Sequence, residues 1–258
     1  MMARPFSTAE LMACVVSRAL RDGEVALTGA VNMIPVSGCR LAQLTHAPSL
    51  TFIHGGSGGV NSQLAPLTAS SCDAESLRAE ARLSLQEVVA LACRGRVDVF
   101  FGGGIQIDQH GNCNMVCVGP WHAPRFRGPG SLGLPYTSQA GRTIIYTTAH
   151  TPRTFVPRVD FMSGVGYLDG GASRAQAGPP GGGPSLVVSN LAVLDFEPET
   201  RRLRVCSLHP GVEAAEVKRQ TGFPLVMPDP IPSTPAPTPM ELRLLRRLDP
   251  RGLLRRLA

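Results

Sequence analysis

Three times in its first 104 residues the chain runs from a short, mainly apolar segment straight into a glycine-lined loop. Glu24-Val25-Ala26-Leu27-Thr28 opens onto Gly29-Ala30-Val31-Asn32, and Leu50-Thr51-Phe52-Ile53 onto His54-Gly55-Gly56-Ser57-Gly58-Gly59. Val97-Asp98-Val99-Phe100-Phe101 opens onto Gly102-Gly103-Gly104. Apolar runs of this length suit strands buried on both faces, and helical periodicity between them supplies the crossovers. Ser7-Thr8-Ala9-Glu10 has capping-box spacing ahead of Leu11, Val15, Ala19 and Leu20, which predicts a helix over 8–21. Periodicity predicts further helices over 36–45 and 74–94. The resulting order implies an α/β fold, an open and largely parallel sheet flanked by helices, with ligand loops at the carboxyl ends of the strands.

Composition narrows the function classes. With 258 residues, 43% hydrophobic, the chain can bury a sizeable core. Its net charge of +6 would suggest nucleic-acid binding, but the charge is concentrated. The tail from Met240 to Ala258 holds six arginines against Glu241 and Asp249, a net +4, leaving nineteen basic and seventeen acidic residues elsewhere, a net +2. The body is nearly neutral and aromatic residues are only 5%, which argues against a nucleic-acid surface. Seven cysteines form no CxxC pair and read as reduced thiols of a cytoplasmic protein. Cys113 and Cys117, with His110 and His122 irregularly placed, make no zinc ligand set, so no metal is expected. The first twenty residues lack a cleavage site, and no apolar stretch is long enough for a bilayer.

Downstream, IQIDQHGNCNMVCVG reads as a hairpin, 143–148 and 155–161 as strands, and 170–184 as a surface loop. Residues 186–196 and 202–207 read as one hairpin around Glu197-Pro198-Glu199. The proline-rich stretch 228–239 reads as an extended linker after a body of 1–227, and 240–258 as a basic helical arm packing on a partner or on the flank of the sheet.

None of the glycine clusters is a Walker loop or a GxGxxG dinucleotide fingerprint. The string GGGIQIDQHGNCN at 102–114, however, strongly resembles the signature of the β-type subunit of family I coenzyme A transferases, above all the glutaconate CoA-transferase type. Further similar segments follow in order: Thr45-His46-Ala47-Pro48, WHAPRFRGPGS at 121–131, DFMSGVGYLDG at 160–170, LVVSNLAVLDF at 186–196, SLHPG at 207–211 and TGF at 221–223. The resemblance implies a CoA-transferase-type sheet, a separate α-type partner in a heterodimer or larger heteromer, and an acyl-CoA substrate that brings coenzyme A with it and needs no other cofactor. It places the amides of Gly103 and Gly104 opposite the thioester carbonyl. Gln106, Asp108, Asn112 and Asn114 then bind the substrate or fix the loop, the latter being the ordinary use of such residues beside glycine. Arg125 and Arg127, with Gly128 and Gly130, are either solvated loop residues or contacts for a CoA phosphate or substrate carboxylate.

One departure from the family pattern bears on chemistry. True CoA transferases of this type carry a glutamate seven residues beyond the Ala-Pro, and its carboxylate attacks the thioester. Counting from Pro48 reaches Gly55, and no Asp or Glu occurs between Glu24 and Asp73. His54 and Ser57 are the only nearby substitutes, as base and nucleophile, although alternation along a strand end disfavours their pairing. Family members without the glutamate include a steroid-ring-opening hydrolase with glycine there and a methylglutaconyl-CoA decarboxylase with cysteine. The resemblance therefore implies hydrolytic C–C cleavage or decarboxylation of an acyl-CoA, with a carboxylate supplied by the partner. It also implies a pocket enlarged at Gly55. A genuine CoA transferase and a non-catalytic scaffold subunit are the alternatives.

Overall fold

The computed structural model describes residues 6–29, 33–62, 66–70, 72 and 78–257. Its contacts divide the chain into two units, Met1–Phe101 with Pro235–Ala258, and Gly102–Thr234. The sequence-based division after 227 and 239 is thus replaced by divisions at Phe101/Gly102 and Thr234/Pro235.

In the first unit, helix α1 (Thr8–Arg18) starts at Ser7, whose Oγ accepts from the Glu10 amide at 3.2 Å while the Glu10 carboxylate accepts from the Ser7 amide at 2.8 Å. Strand β1 (Val25–Thr28), helix α2 (Met33–Gln43) and strand β2 (Thr51–His54) form a parallel crossover in which Val25 pairs with Thr51 and Thr28 with His54. Helix α2 rests on α1 at Gly38, where a Cβ would lie 2.5 Å from Cγ1 of Val16, so only glycine permits this approach. Strands β3 (Gly59–Val60) and β4 (Ala81–Arg82) extend the sheet antiparallel beyond β2. Helix α3 (Leu85–Cys93) precedes β5 (Val99–Gly102), which is parallel to β1. The helix expected over 74–94 is therefore much shorter. Residues 73–77 lie outside the described ones, 81–82 bond to β3, and a capping box of Ser84 with Glu87 starts the helix at Leu85.

The C-terminal helix Pro239–Leu248 belongs to this unit and packs on α1 and α2. The Arg18 guanidinium donates to both Glu241 carboxylate oxygens, at 2.9 and 2.7 Å, and to the carbonyls of Pro235 and Ala236. Arg246 donates to the buried carboxylate of Glu10 at 3.0 Å. The arm is thus fastened to the helical layer of its own chain. Among the described residues, no helix is long and apolar enough to cross a membrane.

The second unit begins with the hairpin β6 (Gln106–Asp108) and β7 (Cys113–Asn114), followed by the pair β8 (Cys117–Val118) and β9 (Phe126–Arg127). Strand β10 (Arg142–Thr147) follows, and the short β11 (Phe155–Val156) lies parallel to β6. The segment expected as a surface loop over 170–184 contains helix α4 (Ser173–Ala177), and its Arg174 is only 6% exposed. Residues 186–196 are not one strand. Ser189 accepts from the Leu191 and Ala192 amides and turns the chain between β12 (Pro184–Ser189) and β13 (Ala192–Phe196). Strand β14 (Leu203–Leu208) completes the meander, with Arg204 bidentate on Asp195 across it, and helix α5 (Ala214–Arg219) follows. Strand β10 lies parallel to β12, and β12, β13 and β14 are antiparallel, so this unit, like the first, combines parallel and antiparallel pairs in an α/β arrangement. The supposed linker is pinned as far as Thr234, whose amide donates to Leu208 and whose hydroxyl meets Ser207 and His209.

Two outcomes follow. Arg18→Ala removes four charge-assisted hydrogen bonds to the arm, so it should cost about 2 kcal/mol and expose the tail to trypsin, with an unchanged digestion pattern as the contrary result. In the second unit, His150 is 2% exposed, stacks on Phe155 and meets the hydroxyls of Ser189 and Thr221, and burial together with the nearby His209 pushes it down to about 3. Because the unfolded chain binds that proton near pH 6.5, stability is fully present above about 6.5 and is lost as pH falls towards 3, by about 1.4 kcal/mol per pH unit. Thermal unfolding measured between pH 6.5 and 4 should show at least this slope, and His150→Gln should remove that part of it, with an unchanged slope as the contrary result.

Candidate active site

The first candidate turn follows β2. The Gly55 amide donates to the Thr28 carbonyl at 2.8 Å, continuing the β1–β2 ladder one residue past the strand, and the Gly58 amide closes the turn on the His54 carbonyl at 2.8 Å. The backbone of β1 has taken the space a side chain at 55 would need, since a Cβ there would collide with the Thr28 carbonyl oxygen. The pocket is therefore not enlarged at the Cβ position, contrary to the expectation from a simple loss of side chain.

His54 is 1% exposed, its ring edge-on to Phe52 at 5.4 Å, and neither ring nitrogen has a hydrogen-bond partner among the described residues. Burial pushes it down to about 4, so it is a neutral imidazole near pH 7. The Ser57 Oγ instead accepts from the Gly59 amide at 3.3 Å. The His54–Ser57 dyad is thus not assembled, because the strand end buries the ring and the turn uses the hydroxyl. Residues 30–32, the remainder of the loop after β1, lie outside the described residues.

The second candidate loop, in the other unit, leads from β5 into the β6–β7 hairpin. A Cβ on Gly103 would sit 2.8 Å from the Tyr146 carbonyl oxygen, and one on Gly104 would sit 2.8 Å from that of Asn114, so both glycines allow backbone to approach backbone. The four polar side chains that follow bind one another and the loop. The Gln106 Oε1 accepts from Asn114 at 2.7 Å and from the Asp160 amide at 3.0 Å, while its Nε2 donates to the Asp160 carboxylate. Asp108 accepts from the amides of His110 and Asn112 and from the Asn112 side chain. Asn112 also donates to Leu168 and accepts from the Gly166 and Leu168 amides, and Asn114 donates to Cys117 and accepts from the Val116 amide. All four are buried. Desolvation raises the Asp108 carboxyl, against the hydrogen bonds from Asn112 and the His110 amide. The hydrogen bonds of these four side chains thus hold the hairpin and its neighbouring segments together.

Arg125 and Arg127 are exposed on the β8–β9 loop. Arg127 donates to the Trp121 carbonyl and lies 4.6 Å over the indole, which stacks on Phe161. The amides of Gly128 and Gly130 donate to Val116 and Met115, and a Cβ on Gly128 would strike the Met115 carbonyl. These two glycines close the loop on itself and present no free amide. Sequence reasoning missed Asp160, which joins the hairpin to β8 by also accepting from the Gly119 amide at 2.8 Å. It also missed Ser163, whose Oγ accepts from the Met115 amide. Both lie in DFMSGVGYLDG, whose similarity to the family was the available signal. His54, Gly55 and Ser57 thus share one turn of the first unit, and the remaining candidates gather on connected loops of the second.

Comparison with known proteins gives the family of the chain. The family described as Coenzyme A transferase matches residues 9–220. One subunit of the 3-oxoadipate CoA-transferase of Pseudomonas knackmussii is 32% identical over 95% of this chain and 94% of its own length. The cholesterol ring-cleaving hydrolase IpdB subunit of Mycobacterium tuberculosis is 33% identical over 95% of this chain and 96% of its own. The crystal structure of the decarboxylase AibA/AibB superposes with a TM-score of 0.85 at 25% identity, covering 98% of this chain and 99% of that one. With a family match spanning most of the chain and relatives of this identity aligned nearly end to end, the protein belongs to the Coenzyme A transferase family.

Proposed function

We propose that the chain is the β-type subunit of a cytoplasmic heteromer that acts on an acyl-CoA thioester without forming a covalent intermediate on this subunit. The observation that carries this reading is the Gly55 turn, which bears no carboxylate and whose backbone closes on Thr28 where a side chain would begin. A glutamyl relay needs a carboxylate at that point. His54 is buried and neutral, and among the described residues no base meets the Ser57 hydroxyl, which supports this reading.

The reaction is then hydrolytic C–C cleavage or decarboxylation of the acyl group. Coenzyme A enters as part of the substrate. In the hydrolytic case a carboxylate of the α-type partner takes a proton from water, whose oxygen adds to the acyl chain's ketone carbon. The electrons of the breaking C–C bond leave as a carbanion stabilised by its neighbouring carbonyl. This chain contributes the glycine loop at 103–104, held by Gln106, Asp108, Asn112 and Asn114, with backbone amides for the developing oxyanion. The similarity to an IpdB subunit supports the hydrolytic form and that to AibA/AibB the decarboxylating form. Similarity to a 3-oxoadipate CoA-transferase favours a second reading, CoA exchange with the carboxylate brought by the partner.

The test is co-expression with an α-type chain encoded in the neighbouring reading frame. The complex should convert an acyl-CoA without exchanging CoA onto a free carboxylic acid, and borohydride should leave it active during turnover. CoA exchange, or borohydride inactivation mapped to this chain, would contradict the proposal. Gly55→Glu should not create exchange, since its Cβ must displace the Thr28 carbonyl, and it should lower the melting temperature by several degrees, reflecting roughly 1–3 kcal/mol of forced backbone movement.

A further inference from the structure

The second unit holds a buried cation on α4. Arg174 of α4 is 6% exposed, and all its donors are engaged by carbonyl oxygens: Nε and Nη2 by Gly181, Nη1 by Val165 and Gly166, and Nη2 by Thr137 as well. Among the described residues no carboxylate pairs with it, so a buried cation is solvated by carbonyl dipoles without a counter-charge. That arrangement depends on the glycine loop before β12. A Cβ on Gly181 would strike the Ala140 carbonyl and one on Gly182 the Gly141 carbonyl, so only glycines let the loop bring its carbonyls onto the guanidinium.

Beside it opens a cleft of about 220 Å³ whose wall carries a second guanidinium, that of Arg201. Arg201 sits in the β13–β14 turn at a left-handed φ of 56°, its amide fixed to the Glu197 carbonyl at 2.9 Å. Its guanidinium carbon lies 4.9 Å from the centre of the Tyr167 ring. A guanidinium over an aromatic face can still donate to an anion from its edge. The rest of the wall is Tyr167, Gly171, Ala175 and the 179–182 loop, with no acidic residue. The nearby acids are otherwise engaged. Asp169 lies 3.4 Å from Arg158, and Glu197 accepts from the amides of Glu199 and Thr200.

We propose that this cleft is a binding site for a phosphate-class dianion, independent of the reaction proposed above. Two positive charges without a carboxylate match the charge of a phosphate dianion better than that of a monocarboxylate, and the volume exceeds what a phosphate needs. Arg201 supplies the direct hydrogen bonds, and Arg174 supplies charge from beneath. The bound dianion offsets the cost of keeping the Arg174 cation out of water.

Calorimetric titration of the full-length chain with inorganic phosphate, at constant ionic strength in chloride, tests this. Saturable binding is expected, with acetate at least tenfold weaker. Arg201→Gln should weaken phosphate at least tenfold. Ala175→Glu, at an exposed position of the cleft wall, should abolish binding while the melting temperature in chloride stays unchanged. Absence of saturable binding, acetate binding as tightly as phosphate, or affinity unaltered in both variants would overturn the proposal. Because Arg174 is left intact, a folding failure does not enter the comparison.

Discussion

The hydrogen bond from the Gly55 amide to the Thr28 carbonyl is the constraint around which the chemistry of this chain is organised. It extends the parallel β1–β2 register by one residue beyond His54, and the approach is so close that position 55 has no room for a Cβ. The turn is part of the ladder. Position 55 therefore offers neither a carboxylate nor room for a Cβ beside the Thr28 carbonyl.

The second unit shows the complementary arrangement, in which polar residues are numerous but committed. Gln106 and Asn114 pair across the β6–β7 hairpin, Asp108 and Asn112 tie off its turn, and Asp160 joins the hairpin to Gly119. Such a closed network fixes the position of the Gly103–Gly104 backbone without spending side chains on a ligand. Oxyanion stabilisation by backbone amides needs this kind of rigidity, because the amides must point at a developing charge before it forms.

Much of this was legible in the sequence, and the gaps have identifiable causes. Apolar runs ending in glycine placed β1, β2, β5 and their loops, and the capping spacing at Ser7 placed α1. A capping box at Ser84 starts α3 at Leu85, so the helix expected from periodicity over 74–94 is shorter in the structure. The string GGGIQIDQHGNCN identified the hairpin, but residue type alone did not distinguish ligand contacts from residues that hold a loop. That distinction rests on partners such as Asp160, 54 positions from Gln106. The collision at Gly55 was invisible for the same reason, since Thr28 reaches it through sheet register. Nor did hydropathy show that His54 is buried without a partner among the described residues, or that Arg174 is sealed under a glycine loop.

The proposed chemistry leaves this subunit without a covalent intermediate. Intact-mass spectrometry of the co-expressed complex, quenched in acid during steady-state turnover of an acyl-CoA, reads this out. The mass of this chain should stay that of the unmodified polypeptide at every time point. An increment equal to the acyl group or to coenzyme A, located by digestion to the segment containing Gly55, would contradict it.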